Sequence, residues 1–327
     1  MRRTFYSFVL LGCLLQSPTL PAQTEQSVRD ISADLELLLD EAINEQQPVA
    51  EQSAITQFLT ALAEFNQDAL NTLYDRDALA SIQVSYPISL PANAAVIYSI
   101  ALPESLVHLV QRDSAIQIYQ VEVSQERLAR SIRYYLQELQ ISSSFNGMER
   151  GSSELYRWIA QPYLDDLREA GIQDLVFITT DTLRPLPLST LFDGRRYLVD
   201  DFSVTVSLGG VVGEGLASGL PELPSDAGFE ITTLRDELVL SQSRRLVDSR
   251  NSILPLLSNH LPTRASTNLV SLWPGSTAAR EQLVDSMTSA LEDGAEHAAA
   301  LRAAQLQLKS SSRFGHPYYW GSYLLVQ

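Results

Sequence analysis

The chain has 327 residues, of which 45% are hydrophobic and 19% charged, a composition typical of a globular rather than a disordered protein. Its formal net charge is −16. So acidic a chain repels phosphate backbones and anionic head groups, which argues against nucleic acid as a partner and against adsorption to acidic lipid. The length is sufficient for one large hydrophobic core or two small ones.

Residues 1–22 have the features of an export signal. Two arginines precede an apolar run over residues 5–15, which is too short to span a bilayer, and a small-residue cleavage site ends at Ala22. The only cysteine, Cys13, ends a Leu-Leu-Gly-Cys sequence that resembles a lipoprotein box. We predict an exported protein, periplasmic or secreted, cleaved after Ala22; lipidation at Cys13, with membrane attachment, is the alternative. The folded part then has no cysteine for a disulfide, a thiolate metal site or a nucleophile.

Residues 23–85 are predicted to form a helical N-terminal region. Apolar residues recur at positions 31, 35, 38, 39, 42 and 43, and the acidic residues between them complete the pattern of an amphipathic helix. A second helix is predicted over residues 51–66 and a third piece over 68–82. TPR repeats have a period of 34 residues. The helical pattern of residues 23–85 does not recur at this spacing. We therefore predict a helical extension rather than a solenoid of such repeats.

Strands are predicted next, at the start of a domain over residues 90–327. The apolar runs Ala94–Ala101 and Leu106–Val110 flank a Leu-Pro-Glu-Ser turn and predict a hairpin. The run Ile116–Val123 alternates between apolar and polar residues, as a half-exposed strand does. A helix is predicted over Gln125–Leu139.

A second helical stretch leads into two buried strands. It covers Gly151–Ala170, and Pro162 is predicted to kink it or divide it in two. The runs Leu175–Ile178 and Phe202–Val206 are short, apolar and followed by polar residues, as the buried strands of a mostly parallel sheet are. The remaining predicted elements are a loop over Gly209–Asp226, a strand over Asp236–Leu240, a strand over Leu269–Pro274, a helix capped by Ser276 or Thr277 and ending at Gly294, a helix over Glu296–Leu308 and a closing strand over His316–Val326.

Four segments carry specific residue patterns. They are PLSTLFDGRRYL at 187–198, SLWP at 271–274, ALRAAQL at 300–306 and HPYYW at 316–320. These patterns resemble those of the CHAT domain, a caspase-like peptidase fold that is often attached to TPR repeats. The resemblance covers residues 90–327 and implies an α/β fold with a mainly parallel sheet flanked by helices. It also implies that the aromatic residues of the last segment pack into the core.

The resemblance implies a catalytic pair that this chain lacks. In the family, one strand ends in a His-Gly pair that supplies the general base, and a later strand ends in Leu-Ser-Ala-Cys, where the cysteine is the nucleophile. No histidine lies between His108 and His260, which also suggests that the sheet has lost an internal segment. Ser243 occupies the place of the cysteine. Because a serine hydroxyl needs a positioned base, we predict no catalytic residue and a pseudo-peptidase that binds or scaffolds an unidentified protein.

Two alternatives remain open. One is an active serine-dependent hydrolase, with Ser243 or Ser241 as the nucleophile and His260 or His316 as the base. The other is a decayed copy without function. At the end of a strand, a serine is also commonly a loop or helix-cap residue.

The other polar candidates have structural interpretations. His108 lies in an apolar strand and is predicted to be a core or edge residue, and His297 is predicted to lie on a solvated helix face rather than to bind metal. Arg244, Arg245 and Arg250 could bind an acidic segment of a partner, although such a cluster commonly pairs with surface carboxylates. No metal site and no cofactor are predicted.

Overall fold

The computed structural model describes residues 91–113, 115–143, 145–179, 182–183, 185–207, 231–233, 268–273 and 275–326. Several predicted features lie outside the described residues: the export signal with Cys13, the helical N-terminal region, the loop at 209–226, the strand at 236–240, Ser241, Ser243, Arg244, Arg245, Arg250 and His260.

The described part of the sheet begins with two consecutive hairpins. The strands are β1 (Ala94–Ala101), β2 (Leu106–Arg112) and β3 (Ala115–Val121), and both pairs are antiparallel. β1 and β2 are almost completely buried, whereas exposed and partly buried residues alternate along most of β3. The predicted hairpin and the predicted half-exposed strand are therefore confirmed.

Three helices follow, α1 (Gln125–Leu139), α2 (Asn146–Ile159) and α3 (Gln161–Glu169). α1 begins where Ser124 accepts a hydrogen bond from the backbone N–H of Arg127, as an N-cap residue does. The predicted break is confirmed, because α2 ends just before Pro162 and this proline lies in the first turn of α3, where a missing N–H costs little.

The next two strands are parallel to β1. They are β4 (Asp174–Thr179) and β5 (Ser203–Ser207), joined by a stretch that contains a 3₁₀ turn (Leu188–Thr190) and the short helix α4 (Leu198–Asp201). Both predicted buried strands are confirmed.

The C-terminal elements are β6 (Ile231–Thr233), β7 (Asn268–Ser271), α5 (Thr277–Glu292), α6 (His297–Ser310), α7 (Pro317–Trp320) and β8 (Tyr323–Val326). α5 has Ser276 at its N-cap position, although the side chain makes no capping hydrogen bond. The prediction of one closing strand over residues 316–326 is wrong in its first half. Pro317 fixes a backbone angle that suits the first turn of a helix, so Pro317–Trp320 is helical and the strand begins at Tyr323.

The eight described strands form one sheet in the order β3-β2-β1-β4-β5-β8-β7-β6. Because β8 is parallel to β5 but antiparallel to β7, the pair β7 and β6 runs opposite to β1, β4, β5 and β8. The predicted α/β class, a sheet flanked by helices, is confirmed. The parallel strands form two groups that run in opposite directions, β1, β4, β5 and β8 in one and β7 and β6 in the other.

A hydrophobic core joins the sheet to the longer helices of the described ranges. Trp320 is completely buried and Tyr323 nearly so, and Tyr318 and Tyr319 are partly buried against this core, which confirms that the aromatic C-terminal segment packs inward. Burying each such side chain stabilises the fold by roughly 2–3 kcal/mol. Among the described residues, no helix combines the length and the apolar character that crossing a bilayer requires.

Candidate functional site

The 3₁₀ turn at Leu188–Thr190 is fixed to α1 and α2 by buried hydrogen bonds. The hydroxyl of Ser152 donates to the backbone carbonyl of Thr190 at 2.8 Å. The side chain of Thr190 donates to the carbonyl of Pro187 at 2.6 Å and also contacts the hydroxyl of Tyr135. Burial raises the pKa of Tyr135 far above its usual value, so this phenol stays protonated. The network positions the turn and supplies no acid or base.

The Asp-Gly pair in the 187–198 segment forms a turn. One carboxylate oxygen of Asp193 accepts the backbone N–H groups of Arg195 and Arg196, each at 2.7 Å. Gly194 has a φ of 101°, a left-handed conformation that favours glycine. The polar residues of this motif are therefore used to shape the backbone.

The two carboxylates of α4 are held by cations. The Nζ of Lys309 lies 2.6 Å from Oδ1 of Asp200, whose Oδ2 accepts the backbone N–H of Tyr197 at 2.9 Å. Asp201 pairs with Arg168 of α3 and with Arg196. These pairs connect α4 to α3 and α6. Neither carboxylate is left as an unpaired general base.

Arg302 of α6 completes this connection by binding two backbone carbonyls. Its Nε donates to the carbonyl of Val199 at 2.9 Å, and its Nη2 donates to the carbonyl of Asp200 at 2.6 Å. A guanidinium is well suited to bind two neighbouring carbonyl oxygens. In the ALRAAQL pattern, the arginine therefore fastens α6 to α4.

His108 lies at the centre of a buried hydrogen-bonded chain. Its Nε2 is 2.9 Å from the carbonyl oxygen of Trp158, and its Nδ1 is 2.9 Å from the hydroxyl of Ser99. A carbonyl can only accept, so Nε2 carries the proton and Nδ1 accepts from Ser99. Burial lowers the pKa of His108 to about 4, although the carbonyl of Trp158 opposes this shift.

This contact has the connectivity of a serine–histidine dyad, but it is closed to substrate. Ser99 and His108 are both 0% exposed. His108 instead satisfies a carbonyl in the last turn of α2, where the helix itself provides no donor. The prediction of a core histidine is confirmed.

His316 acts as the cap of the short helix α7. Its Nδ1 accepts the backbone N–H of Tyr318 at 3.1 Å, and its ring packs against Phe145 with 4.6 Å between centroids. With Nδ1 accepting, the neutral ring carries its proton on Nε2 and has no free lone pair with which to accept a serine proton. This geometry agrees with the structural role predicted for His316.

His297 is the first residue of α6 and is half-buried. Burial lowers its pKa, and the neighbouring Glu296 opposes this shift. Across the described ranges, no group of three or more histidine, cysteine or acidic residues is arranged to hold a metal ion.

The sequence-predicted candidates are thus divided between two parts of the chain. Ser243, Ser241, His260 and the three arginines lie outside the described residues, while His108, His297 and His316 lie in separate elements. Sequence reasoning missed the pairing of Lys309 with Asp200. The signal that could have indicated it was the single lysine of the chain, at the end of a helix rich in family residues.

The described fold is an α/β scaffold in which the recognisable motifs have structural roles. Among α/β proteins, it is the family model of the CHAT domain that matches this chain, over residues 149–260 and 265–327, which is more than half of its length. The chain therefore belongs to the CHAT domain family, which is related to caspase-like peptidases. The matched range begins inside α2, so the predicted boundaries at residues 22, 85 and 90 stay predictions.

The chain is also similar to tetratricopeptide repeat protein 28 of Homo sapiens, with 31% identity over 86 residues. The match covers 26% of this chain and 4% of that protein. The chain thus corresponds to a small part of this much longer relative, whose name agrees with the frequent attachment of CHAT domains to TPR repeats.

Proposed function

We propose that this chain is an exported CHAT domain protein without peptidase activity, which acts as a binding or scaffold module. One observation carries the proposal: the residues matched by the family model contain no cysteine, since the only cysteine of the chain is Cys13. Thiolate chemistry in this architecture depends on that side chain. Ser243, which we align with the nucleophile, lies within the matched range.

The described histidines also support inactivity. Both imidazole nitrogens of His108 and the Nδ1 of His316 make internal hydrogen bonds, and both residues are buried. A serine hydroxyl reacts only when a neighbouring base can accept its proton. Export is proposed from the N-terminal 22 residues alone.

For the binding function, we propose that Arg244, Arg245 and Arg250 contact an acidic segment of a protein partner. In a chain with a net charge of −16, Arg244, Arg245 and Arg250 form one of two stretches with three arginines within seven residues. In the other, on α1, Arg127 pairs with Glu154 and Arg130 with Glu126. Complementary charge mainly increases the association rate and selects the partner.

A fluorophosphonate probe tests the absence of catalysis. We expect no covalent labelling of the full-length protein and no cleavage of a diverse peptide library. The serine hydrolase alternative predicts labelling at Ser243 that disappears in Ser243→Ala, and this result would overturn the proposal. Labelling at Ser241 that disappears in Ser241→Ala would overturn the proposal equally, and Ser249→Ala, in the same stretch of sequence, is the matched control.

The arginine cluster is tested with a polyglutamate peptide at low ionic strength. We expect Arg244→Glu with Arg245→Glu to weaken binding at least tenfold, because the variant replaces attraction by repulsion. Arg150→Glu with Arg195→Glu, which makes the same charge change at two exposed arginines of the described chain, should weaken binding less than threefold. Equal losses in the two variants would show only an effect of net charge and would contradict a local site.

A further inference from the structure

The two faces of the sheet at β1 and β2 are buried by different means. Side chains alternate along both strands, and the first face carries Ala95, Ile97, Leu106 and Val110, which belong to the core that the described helices form. The second face carries Val96, Tyr98, Ile100, Val107 and Leu109. Across the hairpin, Tyr98 is opposite Leu109 and Ile100 is opposite Val107. These five residues are not part of that core.

The second face is nevertheless buried. Val96, Val107 and Leu109 are 0% exposed, and Tyr98 is 1% exposed. The neighbouring strand β4 continues this apolar surface with Ile178, which pairs with Tyr98 in the register. Burial of five large side chains is worth roughly 1.5–3 kcal/mol each. The core formed by the described helices does not account for it.

We propose that residues 31–66 of the N-terminal region cover this second face. The amphipathic pattern supplies an apolar stripe at 31, 35, 38, 39, 42 and 43, and a second stripe includes Ile55, Leu59 and Leu62. This inference is independent of the proposed function, because it concerns how the domain is completed.

The position at which the described chain begins supports this occupant. Residues 91–93 lead directly into β1, and the carbonyl of Asn93 accepts the backbone N–H of Gln173, at the start of β4. A helix over 31–43 would be about 20 Å long and one over 51–66 about 24 Å. A strand of eight residues such as β1 is about 26 Å long. The helices therefore match the strands they would cover.

The end points of β6 and β7 argue against residues 234–267 as the occupant. The carboxyl end of β5 and the amino end of β6 lie at the same edge of the sheet, because these strands run in opposite directions. The chain between β6 and β7 joins adjacent parallel strands. Both strands are far from β1, since β7 is four positions away in the strand order, or about 19 Å.

Site-specific photo-crosslinking tests the proposal on the full chain. A benzophenone amino acid replaces Leu38 on the apolar stripe or, as the matched control, Asp40, which lies about 200° around the same helix on its polar side. We expect position 38 to form an intramolecular crosslink to peptides of residues 94–112 or 174–179, and at least tenfold less of that product from position 40. Crosslinks from position 38 to residues 208–273, or to a second copy, would overturn the proposal.

Hydroxyl-radical footprinting provides a second readout that needs no crosslink. We expect Leu38→Arg to increase the oxidation of Tyr98 at least threefold, because a charged stripe no longer covers the second face. Asp40→Arg, on the polar side of the same helix, should leave this rate within a factor of two. Tyr135, buried in the described core, reports whether the whole domain has unfolded. Unchanged labelling of Tyr98 in Leu38→Arg would contradict the docking of this segment.

Discussion

The buried histidine of β2 illustrates how chemistry familiar from active sites can serve stability. His108 is neutral: its Nε2–H donates to the carbonyl of Trp158, and its Nδ1 accepts a hydrogen bond from the hydroxyl of Ser99. The hydrogen bonds satisfy a β1 hydroxyl and a helix-terminal carbonyl at once. Removing the imidazole would therefore leave two buried polar groups without partners.

We expect His108→Ala to lower the free energy of unfolding by about 3–5 kcal/mol, from the unpaired groups and the cavity together. Chemical denaturation at pH 8 measures this loss. His297→Ala, which changes a half-buried histidine at the start of α6, should cost less than about 1 kcal/mol. A loss below 1 kcal/mol for both variants would contradict the structural role of His108.

The stability should also depend on pH through His108. The folded-state pKa is about 4 and the ordinary value is 6.5, so between these values the unfolded chain binds a proton that the folded chain does not. The stabilisation is complete above about pH 6.5 and is lost as the pH falls towards 4, by about 3 kcal/mol in total.

His108→Gln removes this titration. Its deficit in unfolding free energy relative to the unaltered protein should therefore shrink as the pH is lowered from 7 to 4. Denaturation curves at several pH values measure the trend. A difference that stays constant over this range would show that His108 does not titrate as described.

The pair of Lys309 and Asp200 is a second test at the scale of single residues. We expect Lys309→Met to destabilise the protein by about 1–3 kcal/mol, because Asp200 is largely buried and would lose its cation. The combination Lys309→Met with Asp200→Asn should recover part of this loss, since the amide is neutral. Arg130→Met breaks an exposed pair with Glu126 and should cost less than about 0.5 kcal/mol; equal costs for the two pairs would contradict the argument.

At the scale of elements, local signals gave accurate predictions. The cap at Ser124 and the proline at 162 act within one turn of their own positions, and α1 has the predicted bounds. The closing strand was wrong because an apolar aromatic run does not distinguish a strand from a helical turn. Its helical start depends on Pro317 together with the cap from His316.

The close approach of α7 to the 3₁₀ turn gives an element-level prediction. A Cβ added at Gly321 would overlap Cγ2 of Thr190 and lie 2.8 Å from the carbonyl oxygen of Pro317. We expect Gly321→Ala to destabilise the protein by about 1–3 kcal/mol, measured by thermal and chemical unfolding. Gly275→Ala, where an added Cβ meets nothing within 4 Å, is the control.

Thr190→Ser removes the overlapping methyl group but retains the hydroxyl that donates to Pro187. Combined with Gly321→Ala, it should recover part of the lost stability. If the two substitutions are strictly additive, the two residues do not contact each other in the way described.

For the whole molecule, the fold class could be predicted, but the strand order could not. Buried strands are visible as apolar runs, whereas the pairing of β8 between β5 and β7 joins residues far apart in sequence. The candidate site was predicted only from the family resemblance, in which Ser243 occupies the position of the cysteine nucleophile. The ion pair of Arg168 with Asp201 could not be predicted, because its partners meet only after folding. For Lys309 with Asp200, the single lysine was a signal, but it did not indicate the partner.

The state of the N-terminus determines where such a molecule would act. We propose that the protein is exported, so the chain isolated from its host should begin at Gln23 and lack Cys13. Loss of two arginines would then make the net charge −18. Intact-mass measurement and N-terminal sequencing of the native protein test this. A mass that contains Cys13 with a diacylglyceryl group would indicate the lipidated form, which anchors the chain to a membrane surface, and an uncleaved Met1 would contradict export by this signal.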